Sequence, residues 1–217
     1  KKEKSLFILL KELRKVSRFD EYDVVIDMQG LIKSAVISRL ISSPITLGFD
    51  KSSVRESISS VFYNQKFKYS YEKNVVERNL ALIANFFNLT VSKENIINKD
   101  FFLYSSQKYN FNALSNIMPN IVLIPGASYD SKMYPYQKLA EISSMIEANF
   151  IIVWGSKIEK ILANKIKTLC PKVQVMDKLS IDLLVSLISQ VDLVIGADTG
   201  PTHMAWALNI PSISLFG

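Results

Sequence analysis

The sequence predicts an α/β protein whose second half is a doubly wound parallel sheet. From Ile121 onward, apolar runs at 121–125, 150–154, 173–176, 192–196 and 212–216 alternate with helical stretches near 135–148, 156–168, 180–190 and 201–208. Continuous apolar strands separated by amphipathic helices mean a parallel sheet covered on both faces. Glycines and polar residues gather just past these runs, at the carboxyl strand ends where ligands bind in open α/β sheets. Apolar residues make up 48% and aromatics 11% of the 217 residues, enough for real cores, and no internal repeat or low-complexity tract interrupts them.

The first half carries fewer strands. Leu6, Leu9, Leu10, Leu13 and Val16 fall close to helical spacing, which predicts a helix over 4–18. Val24–Asp27 reads as a short buried strand ending at the Gln29-Gly30 turn, and residues 31–42 resume helical spacing. Ile45–Phe49 is strand-like and is followed by expected helices at 53–64 and 73–88. Residues 89–106 read as loop with one strand near Asp100–Tyr104, and the change of pattern divides the chain into domains 1–108 and 109–217. The chain opens on a charged helix without Met and stops at a strand-ending glycine, so both ends are expected to be cuts through a fold.

The formal charge is +6, from 26 Lys and Arg against 20 Asp and Glu, with basic residues crowded into 1–18 and 51–78. Solvated surface lysines explain most of this excess, and the remainder favours anionic partners such as nucleotides or acidic lipid headgroups. Nucleic acid is not expected, because no arginine-rich tract or recognition motif appears. No apolar run reaches the roughly 18–20 residues of a membrane-spanning helix. Cys170 is the single cysteine, which leaves no internal disulfide and agrees with a reducing cytoplasm. One cysteine and one histidine cannot build a zinc site, and no calcium-loop spacing occurs, so no metal is expected. No Gly-x-Gly-x-x-Gly follows a strand, which disfavours a nicotinamide-dependent oxidoreductase.

The most informative run is Ala197-Asp-Thr-Gly-Pro-Thr-His-Met-Ala-Trp-Ala207, between two apolar strands. Gly200 allows a tight turn, Pro201 suits the first helical position, and the unpaired amides of the helix start form an anion seat. Around it stand Asp198, Thr199, Thr202 and His203, the chain's only histidine. Asp198 reads either as a helix N-cap or as a ligand to sugar hydroxyls, and His203 either as a buried histidine or as part of the site. A second strand end, Pro125-Gly-Ala-Ser-Tyr-Asp-Ser-Lys132, offers the Ser128 hydroxyl and the Lys132 charge beside small residues that admit a ligand. A third, Trp154-Gly-Ser-Lys-Ile-Glu159, has the form of a capping box; Glu159 can also grip ribose hydroxyls, and the two roles are compatible. In the first half, Asp27-Met-Gln-Gly-Leu-Ile-Lys33 and Arg55 place basic groups where an acidic second substrate could meet them.

These segments resemble the ADP-heptose:lipopolysaccharide heptosyltransferases, glycosyltransferase family 9. The matching stretches are Tyr22–Ala35, Leu47–Asp50 with Arg55-Glu56, Val61–Asn64, Val76–Arg78, Trp154-Gly155 and Asp198–His203, in the family's order. The resemblance implies a GT-B fold of two Rossmann-like domains, here a partial acceptor-binding domain (1–108) and a partial donor-binding domain (109–217). It implies inverting, metal-independent transfer of L-glycero-D-manno-heptose from ADP-heptose, a substrate rather than a cofactor. The Asp-x-Gln-Gly-Leu-x-Lys-Ser run points to the type I branch, whose acceptor is a Kdo sugar of lipid A. Type II or III members, with heptosylated acceptors, and a non-catalytic nucleotide-sugar-binding member are the alternatives. By the resemblance Lys132 and Ser128 meet the diphosphate, Glu159 the ribose, Asp198 the heptose, Thr199 and Gly200 phosphate, and His203 the diphosphate or sugar. Arg55 and Lys33 would face Kdo carboxylates. The family's catalytic base is an aspartate in a glycine-bearing loop that precedes these residues, so no base is named here. A cytoplasmic protein held peripherally at the anionic inner-membrane surface is the implied location.

Overall fold

The computed structural model describes residues 14–127 and 132–216. The helix expected over 4–18 therefore falls largely outside the described residues. Contacts divide the chain into two units, Lys1–Lys99 and Asp100–Gly217.

The first unit is built on a parallel three-stranded sheet in the order β1-β2-β3: β1 (Val24–Ile26), β2 (Ile45–Phe49) and β3 (Gln65–Phe67). Helix α1 (Ile32–Leu40) joins β1 to β2, and a 3₁₀ helix (Ser57–Phe62) joins β2 to β3. Helices α2 (Val75–Phe87) and α3 (Lys93–Ile97) follow. Leu47, Phe49 and Leu82 are its fully covered apolar centre, packed by Val24, Ile26, Ile45, Val54 and Phe67. The helix expected over 53–64 is confined to the 3₁₀ segment, because Asp50 gathers the Ser52 amide and the Ser52 and Ser53 hydroxyls into a turn first. Strand β3 and the short α3 were not foreseen; their few residues show too little periodicity to be read from sequence.

A buried carboxylate organises this unit. Asp27, only 4% exposed, follows β1 and accepts from the Gln29 and Gly30 amides (2.9 and 3.3 Å), the Ser34 hydroxyl (2.7 Å) and the Tyr63 hydroxyl (2.7 Å). A buried charge is tolerated when it is surrounded by donors in this way. Gly30 turns the chain into α1 at φ +65, and a Cβ there would lie 2.5 Å from Val54 Cγ1. Tyr63 reaches Asp27 by lying across Gly48, where a Cβ would come within 2.4 Å of the ring. Burial, and then the hydrogen bond to Asp27, push the Tyr63 phenol well above its ordinary range, so it remains a proton donor.

The second unit holds a parallel five-stranded sheet in the order β6-β5-β4-β7-β8. Its elements run β4 (Asn120–Ile124), α4 (Tyr136–Met145), β5 (Asn149–Ile152), α5 (Lys157–Leu169), β6 (Gln174–Val175), α6 (Ile181–Ile188), β7 (Leu193–Gly196), α7 (Gly200–Ala207) and β8 (Ser212–Ser214). This is the alternation read from the sequence, with strands and helices within a few residues of their expected bounds. Successive strand residues face opposite sides. Ile121, Leu123, Phe150 and Ile152 pack with Leu139, Ala163 and Ile166 of α4 and α5 on one side. Val122, Ile151 and Val194 pack with Leu187, Ile188 and Ala205 of α6 and α7 on the other. The chain steps outward from β4 to β6 and then returns to the other side of β4, so the order of winding reverses between β4 and β7. At that reversal the strands approach closely, since a Cβ on Gly196 would lie 2.7 Å from Ile124 Cβ.

At the amino ends, side-chain amides link neighbouring strands. Asn149 Nδ2 donates to Asn120 Oδ1 (2.8 Å), and Gln174 Nε2 donates to Asn149 Oδ1 (2.8 Å). Residues 102–109 lie on the second unit. No strand forms near 100–104; the Phe102 amide donates to Ala207 O, at the end of α7 (3.1 Å). Asp182 on α6 accepts from the Ser106 hydroxyl (2.6 Å) and amide (2.7 Å), the Tyr109 hydroxyl (3.0 Å) and the Ser105 hydroxyl (3.1 Å). The Ser106 bonds above all hold the Asp182 carboxyl down at about 2, against an ordinary 3.8.

Gly48→Ala should destabilise the first unit by roughly 1–3 kcal/mol, the usual range for an overfilled core, as measured by urea unfolding. Because Asp182 binds its proton more weakly when folded, its hold on residues 105–109 is complete above 3.8 and lost as pH falls through about 2. The stability difference between the wild type and Asp182→Asn should close over that same interval in thermal unfolding.

Candidate functional site

The reversal between β4 and β7 sets two loops side by side, one after Ile124 and one after Gly196. From the first comes Lys132, whose Nζ lies 3.2 Å from Asp198 Oδ2. From the second come Asp198 and the start of α7, and His203 Nε2 lies 3.1 Å from Asp198 Oδ1. One carboxylate thus sits between an ammonium and the only imidazole. All three side chains reach solvent, at 43%, 38% and 70% exposure for Lys132, Asp198 and His203. Ion pairs so exposed contribute about 0–1 kcal/mol to stability, so the cluster is poorly explained as a staple of the fold.

Asp198 is not the N-cap of α7. That position belongs to Thr199, which makes no side-chain cap bond; its hydroxyl instead turns back to Ala197 O at 3.4 Å. Thr202, buried, also donates to Ala197 O, at 2.7 Å. The amides of the first turn are therefore uncapped by any side chain, and they carry the positive end of the helix dipole. Gly200 does not take the left-handed backbone that a tight turn would need; among the described glycines only Gly30 does so. Its contribution is open space, with nothing within 4 Å of where a Cβ would stand. His203 is exposed rather than buried.

Glu159 closes a capping box at the start of α5. Its Oε2 accepts from the Gly155 and Ser156 amides, both at 2.7 Å, while its own amide donates to Ser156 Oγ at 3.2 Å. The side chain lies against Gly126, where a Cβ would come 2.3 Å from Glu159 Cγ. Glycine at 126 is what lets a carboxylate from the β5 end reach the β4 end. A cleft of about 340 Å³ opens there, within the size of small-ligand sites. Ile124, Gly126, Trp154, Glu159 and Thr199 line it from three strand ends. Trp154 is fixed by donating Nε1–H to Met176 O at 2.7 Å.

The structure thus gathers Lys132, Asp198 and His203 into one contact, and brings Glu159 and Thr199 to one cleft. Ser128 lies outside the described residues. The cleft also takes Lys178, Leu179 and Ser180 from the loop after β6, which the sequence reading passed over. They stand at a strand end like the others, and that position alone would have marked them. In the first unit, Lys33 and Arg55 are exposed and make no hydrogen bond or ion pair among the described residues. Glu56 Oε2 accepts from the Ile32 amide at 2.7 Å, which draws the segments bearing them together and covers an amide at the start of α1. Among the described residues no group of three or more His, Cys, Asp or Glu could hold a metal ion, and no helix is long and apolar enough to cross a membrane.

Residues 9–217 match glycosyltransferase family 9 (heptosyltransferase) along almost the whole chain. The chain belongs to this family. It is 35% identical to lipopolysaccharide heptosyltransferase 1 of Campylobacter coli, over 98% of this chain and 65% of the relative. It is 28% identical to lipopolysaccharide heptosyltransferase 1 of Salmonella typhimurium, over 91% of this chain and 62% of that one. Among solved structures, the E. coli heptosyltransferase WaaC with ADP-2-deoxy-2-fluoro heptose superposes with a TM-score of 0.74 at 24% identity, covering 95% of this chain and 65% of WaaC. The family 9 chain therefore has the GT-B type of fold, with two parallel α/β units, and it spans 62–65% of the length of these relatives.

Gly126→Ala should cost about 1–3 kcal/mol by pushing Glu159 off its two amides. In a Glu159→Ala background the same change should cost markedly less, and a double-mutant cycle by thermal unfolding should return a coupling above roughly 0.5 kcal/mol.

Proposed function

We propose that this chain carries the donor site, and part of the acceptor side, of an inverting heptosyltransferase. It would transfer L-glycero-D-manno-heptose from ADP-heptose to a Kdo sugar of lipid A in building the lipopolysaccharide core. The reading rests above all on one observation: Lys132, Asp198 and His203 converge over the uncapped start of α7, beside a cleft that Glu159 lines. Cations and free amides suit a diphosphate, and carboxylates suit sugar and ribose hydroxyls. Two of the relatives are named lipopolysaccharide heptosyltransferase 1, which favours the type I acceptor over a heptosylated one.

In this reading the acceptor hydroxyl attacks the anomeric carbon on the face opposite ADP. The bond from that carbon to the diphosphate oxygen breaks, its electrons leave with ADP, and the configuration inverts. Charge on the departing diphosphate grows in the transition state. Lys132 and the Thr199–Gly200 end of α7 are aimed at it, and fixed donors at such a place lower the barrier. They supply that compensation without a metal ion. Glu159 keeps one oxygen on its capping amides, and the other takes a ribose hydroxyl. Asp198 takes heptose hydroxyls, with His203 alongside. Arg55 and Lys33, on the first unit, would meet Kdo carboxylates. No base for the acceptor's proton is assigned among these residues. The excess of basic side chains suits a protein held at the anionic cytoplasmic face of the inner membrane, at about 1 kcal/mol for each Lys or Arg near the surface.

Lys132→Ala should weaken binding of both ADP and ADP-heptose by roughly 1.5–3 kcal/mol, the worth of a charged hydrogen bond. Asp198→Ala should weaken ADP-heptose by a similar amount without weakening ADP. Calorimetric titration tests both; unchanged ADP-heptose affinity in the two variants would defeat the assignment. Transfer to Kdo-lipid A rather than to a heptosylated core, in an assay of the full-length enzyme, tests the acceptor.

A further inference from the structure

Lys132 and Asp198 are each given a task in donor binding, yet they also pair with one another, Nζ to Oδ2 at 3.2 Å. The same carboxylate meets His203 Nε2 through its second oxygen, at 3.1 Å. Both Asp198 oxygens are thereby engaged, and the one facing the lysine is the one a sugar hydroxyl would have to claim. The two partners come from different loops, 66 residues apart in the chain, so the contact also tethers the loop after β4 to the turn before α7. The pair is partly exposed, which makes it weak enough to exchange.

We propose that the Lys132–Asp198 pair is a latch opened by the donor's diphosphate, so that sugar recognition becomes available only after phosphate has been bound. The proposal rests on the donor site argued above. A diphosphate carries more charge than one carboxylate and offers several acceptor oxygens, and it draws the ammonium away. Asp198 Oδ2 is then released while Oδ1 stays with His203, which holds the carboxylate in place for a sugar hydroxyl. The latch has two consequences. ADP alone pays for breaking the pair and gains nothing from the released oxygen. ADP-heptose recovers that loss through its hydroxyls, so the site favours the intact donor over the product that must leave.

Asp198→Asn is the decisive change. An amide can still accept from His203 through its oxygen, while the NH₂ that replaces Oδ2 offers the lysine nothing. His203 supplies a direct readout, because its imidazole signals, assigned by their loss in His203→Gln, report even millimolar binding in an NMR titration with ADP or ADP-heptose. With the latch removed, ADP should bind roughly two- to fivefold more tightly than to the wild type, matching the loss of one exposed ion pair. ADP-heptose should bind more weakly, and the preference for ADP-heptose over ADP should collapse. In a Lys132→Met background, Asp198→Asn should leave ADP affinity unchanged, since no pair remains to break. An equal gain in both backgrounds would mean simple relief of charge repulsion and would overturn the latch, as would a loss of ADP affinity on Asp198→Asn. Undiminished ADP-heptose binding by Lys132→Met would instead defeat the underlying donor-site reading.

Discussion

The parallel pairing of β4 with β7 is the constraint on which the site depends. Lys132 and Asp198 lie far apart in the chain, and nothing local unites them. They meet because Ile121–Ile124 runs beside Leu193–Gly196, and Gly196 lets Ile124 approach without a Cβ between them. Both loops then leave the sheet at the same edge. Apolar burial on two faces holds those strands, and residues such as Leu123, Ile151 and Val194 are fully enclosed. Each such side chain contributes on the order of 1.5–3 kcal/mol. Against that, the exposed ion pairs at the mouth are minor. The fold is secured by its interior, which leaves the charged cluster free to rearrange around a ligand.

The first unit distributes the same kinds of residue differently. Asp27, Gly30, Gly48 and Tyr63 all fall in or near segments that resemble the family. The structure spends them on an internal lock: Gly48 makes room for the Tyr63 ring, Tyr63 reaches Asp27, and Asp27 gathers the turn that opens α1. Arg78, in another such segment, is stacked between Phe49 and Tyr71, with ring centroids at 4.8 and 4.6 Å from its guanidinium carbon. Lys33 and Arg55 are exposed, and no described residue forms an ion pair with either.

Much of this was legible in the chain beforehand, and the limits have physical causes. The second unit could be read element by element, because its strands are continuous apolar runs and Ser156 announces a helix start that the structure confirms through its bond to the Glu159 amide. Strand β3 could not, since Gln65–Phe67 has neither alternation nor an apolar run and becomes a strand only by pairing with Leu47–Phe49. The segment near 100–104 has strand-like composition, but Phe102 turns to α7, against Trp206 at 5.6 Å between ring centroids, while Phe101 and Tyr104 pack on each other. Asp198 could be a cap or a ligand on sequence grounds alone; only the positions of Lys132 and His203 decide which oxygen is where. Lys178 carries no comparable mark in the sequence, because the loop after β6 has no glycine.

The amide chain from Asn120 through Asn149 to Gln174 lies at the opposite ends of the strands from the cleft. Slipping any of these strands by one residue would strand buried amides without partners, a penalty larger than most single contacts. Alignment of β4, β5 and β6 is therefore set from the far side of the layer, by groups remote from the cleft. The mouth inherits its geometry without having to enforce it, so its loops are free to diverge in length and chemistry while the scaffold beneath them stays in step.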